Sequence, residues 1–242
     1  TRDLLWSTPS GKHVRVRSRR LVSFEARHVL AMTYEVELVD HSAPIVISSQ
    51  VVNHQDAVAG RSNHGSLDPR LAKVFTDRVL NAEVVEHEDN RLILGYRTTH
   101  SSMTLGIGVD HVIETTNRHT TAVSSGADLS KLVVTVDAEP GVPIKITKYA
   151  TYHSSRSVPV AELTDRSRRT LDRMLRKGFD FLVSAQRRNL DRFWERADIE
   201  VSTKEDGIQI QQAVRWNTFQ LAQATWRAEG SGIPAKGLTG QA

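Results

Sequence analysis

The chain has 242 residues, 39% hydrophobic and 25% charged, and no cysteine. That length suits one large globular domain or two small ones, and the lack of cysteine excludes disulfides and thiolate metal sites while fitting a reducing cytoplasm. Its 32 basic and 28 acidic side chains leave a net charge of +4, which does not indicate a nucleic-acid binder; no apolar run approaches the ~20 residues of a membrane span.

The first 153 residues read as antiparallel β structure. Leu4-Leu5-Trp6 already reads as a strand, and runs at 12–18 and 21–26 follow. The clearest strand is 29–38, where Leu30, Met32, Tyr34, Val36 and Leu38 alternate with Thr33, Glu35 and Glu37. That is the period of two of a pleated strand. Further runs lie at 44–52, 82–87, 91–97, 111–115, 132–137 and 142–152. Asp40-His-Ser-Ala, Glu88-Asp-Asn90 and Glu139-Pro-Gly141 supply turn chemistry between them. Many alternating strands without intervening helices argue for two packed antiparallel sheets, and the same pattern fits a barrel. Arg15, Arg17 and Arg19 share one face of their strand and read as a solvated face, as do the arginines between Arg166 and Arg196 among interleaved acids. Residues 53–74 form a polar stretch with little periodicity, expected to be a long loop.

From Val160 the period becomes 3.6. Leu171, Met174 and Leu175 begin one helix, which Gly178 interrupts. Phe179, Leu182, Val183, Gln186, Leu190, Phe193, Trp194 and Ala197 then follow at spacings of three and four. This stripe predicts burial of Leu190, Phe193 and Trp194 against the β structure. Asp206 is the expected N-cap of a last helix carrying Ile210, Ala213, Val214, Asn217, Leu221 and Ala224. Trp216 and Trp226 flank that helix, where burial between the helix and a following barrel is expected. Both ends of the chain read as cut from a longer protein.

Four segments, in order, carry a resemblance: WSTPSGKHVRVRSRRLVSFEARHVLAMTYEVE, ITKYATYHSSR, NLDRFWERADIEV and QQAVRWNTFQLAQATWRAEGSGIPAKGLTGQA. Together they resemble the family 65 glycoside phosphorylases and hydrolases, which include maltose, trehalose and kojibiose phosphorylases. The first strand segments are weak alone, whereas the linker with IPAKGLTG is specific. The resemblance implies a mainly β fold, a supersandwich-like antiparallel β-sandwich over 1–158. An α-helical linker over 159–202 follows, and 203–242 would begin an (α/α)6 catalytic barrel. It also implies an inverting attack of phosphate on an α-glucosidic disaccharide, with a glutamic acid of the barrel protonating the leaving oxygen. Inorganic phosphate would be co-substrate, with no cofactor. The acid lies outside this chain, so no catalytic residue is expected here. The segment Gly237, Leu238, Thr239 and Gly240 is the expected substrate-proximal element, since the family's sugar-binding stretch follows it.

The residues themselves offer no second site. The histidines show no metal-ligand spacing, no G-x-S-x-G elbow occurs, and 126–131 lacks the ending of a phosphate loop. The competing reading is a non-enzymatic β-sandwich that binds carbohydrate or makes dimer contacts, which leaves a homodimer open.

Overall fold

The computed structural model describes residues 1–53, 78–201 and 207–226. These fall into two units, each taken by itself. The first comprises 1–23, 28–53 and 78–182; the second comprises 24–27, 183–201 and 207–226.

Ten strands and the helix α1 build the first unit. The strands are β1 (Arg2–Ser7), β2 (His13–Val22), β3 (Val29–Leu38), β4 (Ala43–Val52), β5 (Leu80–Glu88), β6 (Arg91–Thr98), β7 (Thr104–Glu114), β8 (His119–Ser124), β9 (Leu129–Ala138) and β10 (Ile144–Ser155). A seven-stranded sheet runs β1-β2-β3-β10-β7-β6-β5, and a three-stranded sheet runs β4-β9-β8. Every pairing is antiparallel. The sheets are separate, so the arrangement is a sandwich and the barrel alternative is excluded.

The core follows from strand alternation. Leu132, Val134 and Val136 of the small sheet are buried against Leu38, Ile144 and Ile146 of the large one. A second cluster gathers Leu92, Leu94, Tyr96, Ile107, Val109 and Ala150 on the same inner face. The expected run 21–26 does not form its own strand, because Leu21 and Val22 still pair with Ala31 and Leu30 and belong to β2; β7 starts earlier than the expected 111–115, and β8 has no counterpart among the expected runs.

The large sheet is covered on its outer face as well. Helix α1 (Val160–Lys177) packs on β5, β6, β7 and β10, making a third layer. Gly95, Gly106 and Gly108 allow this close approach. A Cβ built on Gly106 would meet the backbone carbonyl carbon of Leu163 at 2.6 Å, and one on Gly108 would meet Leu171 Cδ1 at 2.8 Å. The helix presents small groups here, with Ser167 buried and its hydroxyl donating to the Leu163 carbonyl. Gly178, at φ +79°, ends α1 as expected, and α2 (Phe179–Ala197) begins at once.

In the second unit, α2 continues and α3 (Gly207–Thr225) follows. Leu190, Phe193 and Trp194 are half-buried, not sealed as the helical stripe predicts. The partners of Phe193 are other rings: Trp194 edge-on at 4.9 Å and Trp226 at 6.1 Å, the latter stacked on Phe24. Only Ala222 and Ala224 of α3 are buried.

Candidate functional site

The expected substrate-proximal residues Gly237, Leu238, Thr239 and Gly240 lie outside the described residues, as do Asp206 and the stretch 54–77. Among the described residues, no three His, Asp or Glu side chains approach closely enough to hold a metal, and no helix is long and apolar enough to cross a membrane.

Two concave regions stand out. In the second unit, a cavity of about 890 Å³ is lined by Trp194, Val201, Ile208, Trp216 and Phe219 among others. Trp216 is 61% exposed and Ile208 86% exposed. Gln211, on α3, accepts from Val201 N–H and donates to the Ile199 carbonyl, both at 2.7 Å.

The second region, of about 460 Å³, lies on the outer face of the seven-stranded sheet, beside the α1–α2 junction. Strand register dictates its layout. Arg17, Glu35, Lys145 and Glu114 are successive cross-strand partners on β2, β3, β10 and β7. They form a row of alternating sign, tied at 2.7 Å (Arg17–Glu35) and 2.8 Å (Lys145–Glu114). The adjacent row, Arg19, Thr33, Thr147 and Val112, runs across the same strands and forms the floor. Tyr149, in the next row, is 3% exposed, and Leu175, Gly178, Phe179 and Asp180 close the opposite wall. Arg19 lies 3.8 Å from the Asp180 carboxylate and over the Phe179 ring.

Thr33, Thr147 and Tyr149 are buried, yet none of their hydroxyls is bonded to another described residue and none is sealed from solvent. Burial raises the Tyr149 pKa, reinforced by the Glu114 and Asp180 carboxylates. Its phenol therefore stays protonated and able to donate. Arg17 and Arg19, expected on a solvated face, are indeed solvent-exposed, at 42% and 45% of their side chains, and line the rim of this groove beside carboxylate partners. Nothing in the local sequence marks the groove; only cross-strand register brings its residues together.

The buried histidines are structural. His111 places Nε2 2.7 Å from Ser49 Oγ and Nδ1 2.9 Å from the Asn90 carbonyl, and burial lowers its pKa. His153 stacks on His28 with centroids 4.1 Å apart and lies 3.3 Å from Thr170 Oγ1. Burial first, then His28 and nearby arginines, lower its pKa to about 4. An unfolded chain would hold the proton more tightly, at an ordinary pKa of ~6.5. Stability is therefore expected to fall as pH drops from ~6.5 toward 4, then level off for this group. Thermal unfolding of His153→Gln across that range tests this: the variant's midpoint should vary less with pH than the wild type's.

Comparison with known proteins gives this geometry a family. Residues 1–193 match the model of the glycosyl hydrolase family 65 N-terminal domain. An uncharacterised glycosyl hydrolase of Mycobacterium tuberculosis is 36% identical over 242 residues, covering 99% of this chain and 29% of that protein. The α,α-trehalose phosphorylase of Thermoanaerobacter brockii is 25% identical over 239 residues, covering 99% and 30%. Kojibiose phosphorylase of Escherichia coli is 23% identical over 243 residues, again covering 99% and 30%. The chain thus spans under a third of these relatives' length. The solved structure of a putative kojibiose phosphorylase from the human microbiome superposes with a TM-score of 0.71 at 16% identity, over 92% of this chain and 26% of that one. Its likeness supports the mainly β, antiparallel sandwich fold. With four-fifths of its length inside the family's domain model, the chain belongs to glycosyl hydrolase family 65.

Proposed function

We propose that this chain is the scaffold segment of an inverting α-glucoside phosphorylase acting on a trehalose- or kojibiose-type disaccharide. The supporting observation is collinearity: phosphorylases of both sugars align over 99% of this chain while it covers only 30% of each. Phosphate attacks the anomeric carbon from the face opposite the leaving sugar. The C1–O glycosidic bond breaks, and a carboxylic acid beyond this segment gives its proton to the departing oxygen. The products are β-glucose 1-phosphate and a free sugar. Phosphate is already anionic and needs no strong base, so no cofactor is required, and its use as co-substrate suits the cytoplasm. In this reading Gly237, Leu238, Thr239 and Gly240 lie near the sugar, where glycine lets backbone approach a ligand closely.

The test is incubation of the longer protein with trehalose, kojibiose or maltose, with and without phosphate, followed by NMR of the products. Phosphate-dependent β-glucose 1-phosphate is the expected result. Free sugars formed equally without phosphate would replace phosphorolysis with hydrolysis, and no product from any α-glucoside would overturn the proposal. The 242-residue chain alone is expected to be inactive with all three sugars.

A further inference from the structure

The inner face of the seven-stranded sheet is covered at β10 and left open toward β1, and the open part begins beside an unpaired strand edge. Cross-strand rows on that face show the gradient. In Trp6–Val14–Leu38, in Leu4–Val16–Val36–Ile144 and in Val22–Leu30–Ala150, the inner members are buried, Val14, Val16 and Leu30 are half-buried, and the outermost residues are exposed. Leu4 and Val22 are each 48% exposed and Trp6 59%. Met32 and Tyr34, in the rows between, are also half-buried. This is the face that carries the core, so its apolar residues are placed for burial and lack a lid.

The cover stops at β4. Its Ala43, Ile45 and Ile47 pack on the same cluster as Val14, and among the described residues it is an outer strand of its sheet. Its edge looks onto the open area. Lys148, in one row with Arg20 and Met32, reaches up from β10 and donates to the Gln50 carbonyl at 3.1 Å. Outer strands are ordinarily guarded by charge or irregularity. The outer strand β5 of the large sheet has such guards, with Glu83, Glu86 and Glu88 and a register shift between Ala82 and Val84. By contrast β4, APIVISSQVV, carries no charged side chain in ten residues. An unguarded edge beside an uncovered apolar face has the form of a strand-addition site.

We infer that a further β-strand of the same polypeptide, from outside residues 1–242, pairs with the edge of β4 along Ile45–Ser48 and lays alternate apolar side chains on Leu4, Trp6, Val16 and Tyr34. This rests on the reading of the chain as a segment of a longer protein, and the relatives' length leaves ample chain to supply the strand. A second copy fits poorly. Its own edge strand would carry a seven-stranded sheet into the layer already held by β1 and β2.

Hydrogen exchange of the longer protein tests the inference. A strand paired on one side leaves alternate amides open and exchanges in a fast–slow alternation, whereas pairing on both sides slows them all. Ile45 to Ser48 are expected to exchange uniformly slowly, at least about a hundredfold slower than an unstructured segment. Two substitutions read the face itself. Trp6→Lys sets a charge beneath the added strand, while Val46→Lys sets one on the outward face of β4, where Val46 is 65% exposed. Trp6→Lys should lower Tm by at least about 4 °C more than Val46→Lys does. Alternating fast exchange along Ile45–Ser48, or equal shifts for the two substitutions, overturns the inference. Protection that vanishes on dilution, with a halved sedimenting mass, would give the edge to a second copy and overturn it as well. Phosphorolysis without this protection defeats the inference alone, and protection without phosphorolysis defeats only the proposed activity.

Discussion

Gly106→Ala is expected to cost about 3 kcal/mol, the upper range for overpacking, and to lower Tm by about 6–12 °C. The added methyl would sit 2.6–2.8 Å from the carbonyl carbon, carbonyl oxygen and Cβ of Leu163. Two of those atoms are helix backbone and cannot swing aside, so α1 must lift from the sheet. Lifting it would also loosen Leu163 and Leu171, both fully buried. Denaturant unfolding measures the loss. A cost below about 1 kcal/mol, near the level of surface substitutions, would mean that α1 does not rest directly on β7.

The second large effect is electrostatic. Arg91 donates to Asp110 at 2.7 Å and to Asp172 at 2.8 Å, joining β6, β7 and α1. The Arg91 and Asp110 side chains are only 18% and 10% exposed. Despite burial, the two carboxylates hold the Arg91 pKa above its ordinary value. Arg91→Met is expected to cost about 3 kcal/mol, because it strands the Asp110 carboxylate in a place with little water. Most of that penalty comes from the unpaired charge. Adding Asp110→Asn, which retains the oxygen accepting from the His111 N–H, should therefore recover a large part of it. A double-mutant cycle showing additive losses would contradict this account.

These two features also show where the sequence was readable. Strand β3 was legible because its alternation is unbroken, and its bounds match the expectation for 29–38. The first half of β7 was not, because Leu105-Gly-Ile-Gly looks like a turn. Those glycines are strand residues stripped of side chains to admit α1, a tertiary demand that leaves no local mark. Strand β8 was missed for a different reason: His119–Ser124 is a short, mostly exposed edge with no apolar face of its own. The groove was the least legible element. Thr33 and Glu35 read as the wet side of β3, and only pairing with β2 and β10 turns that side into the floor and rim of a cavity.

The alternating charge row has a consequence for how the chain finds its fold. In an antiparallel sheet, a slip of one residue turns every side chain of a strand to the opposite face. Were β10 to slip against its neighbours, Lys145 would point into the space where Ile144 and Ile146 now pack against Leu132 and Val136. An unpaired charge there is heavily penalised. The same holds for Glu35 on β3 and Glu114 on β7, so adjacent strands each carry an independent check on parity. Misregistered sheets are thereby rejected before they can persist, and the seven-stranded sheet retains a single alignment despite having long, similar β strands competing for the same partners.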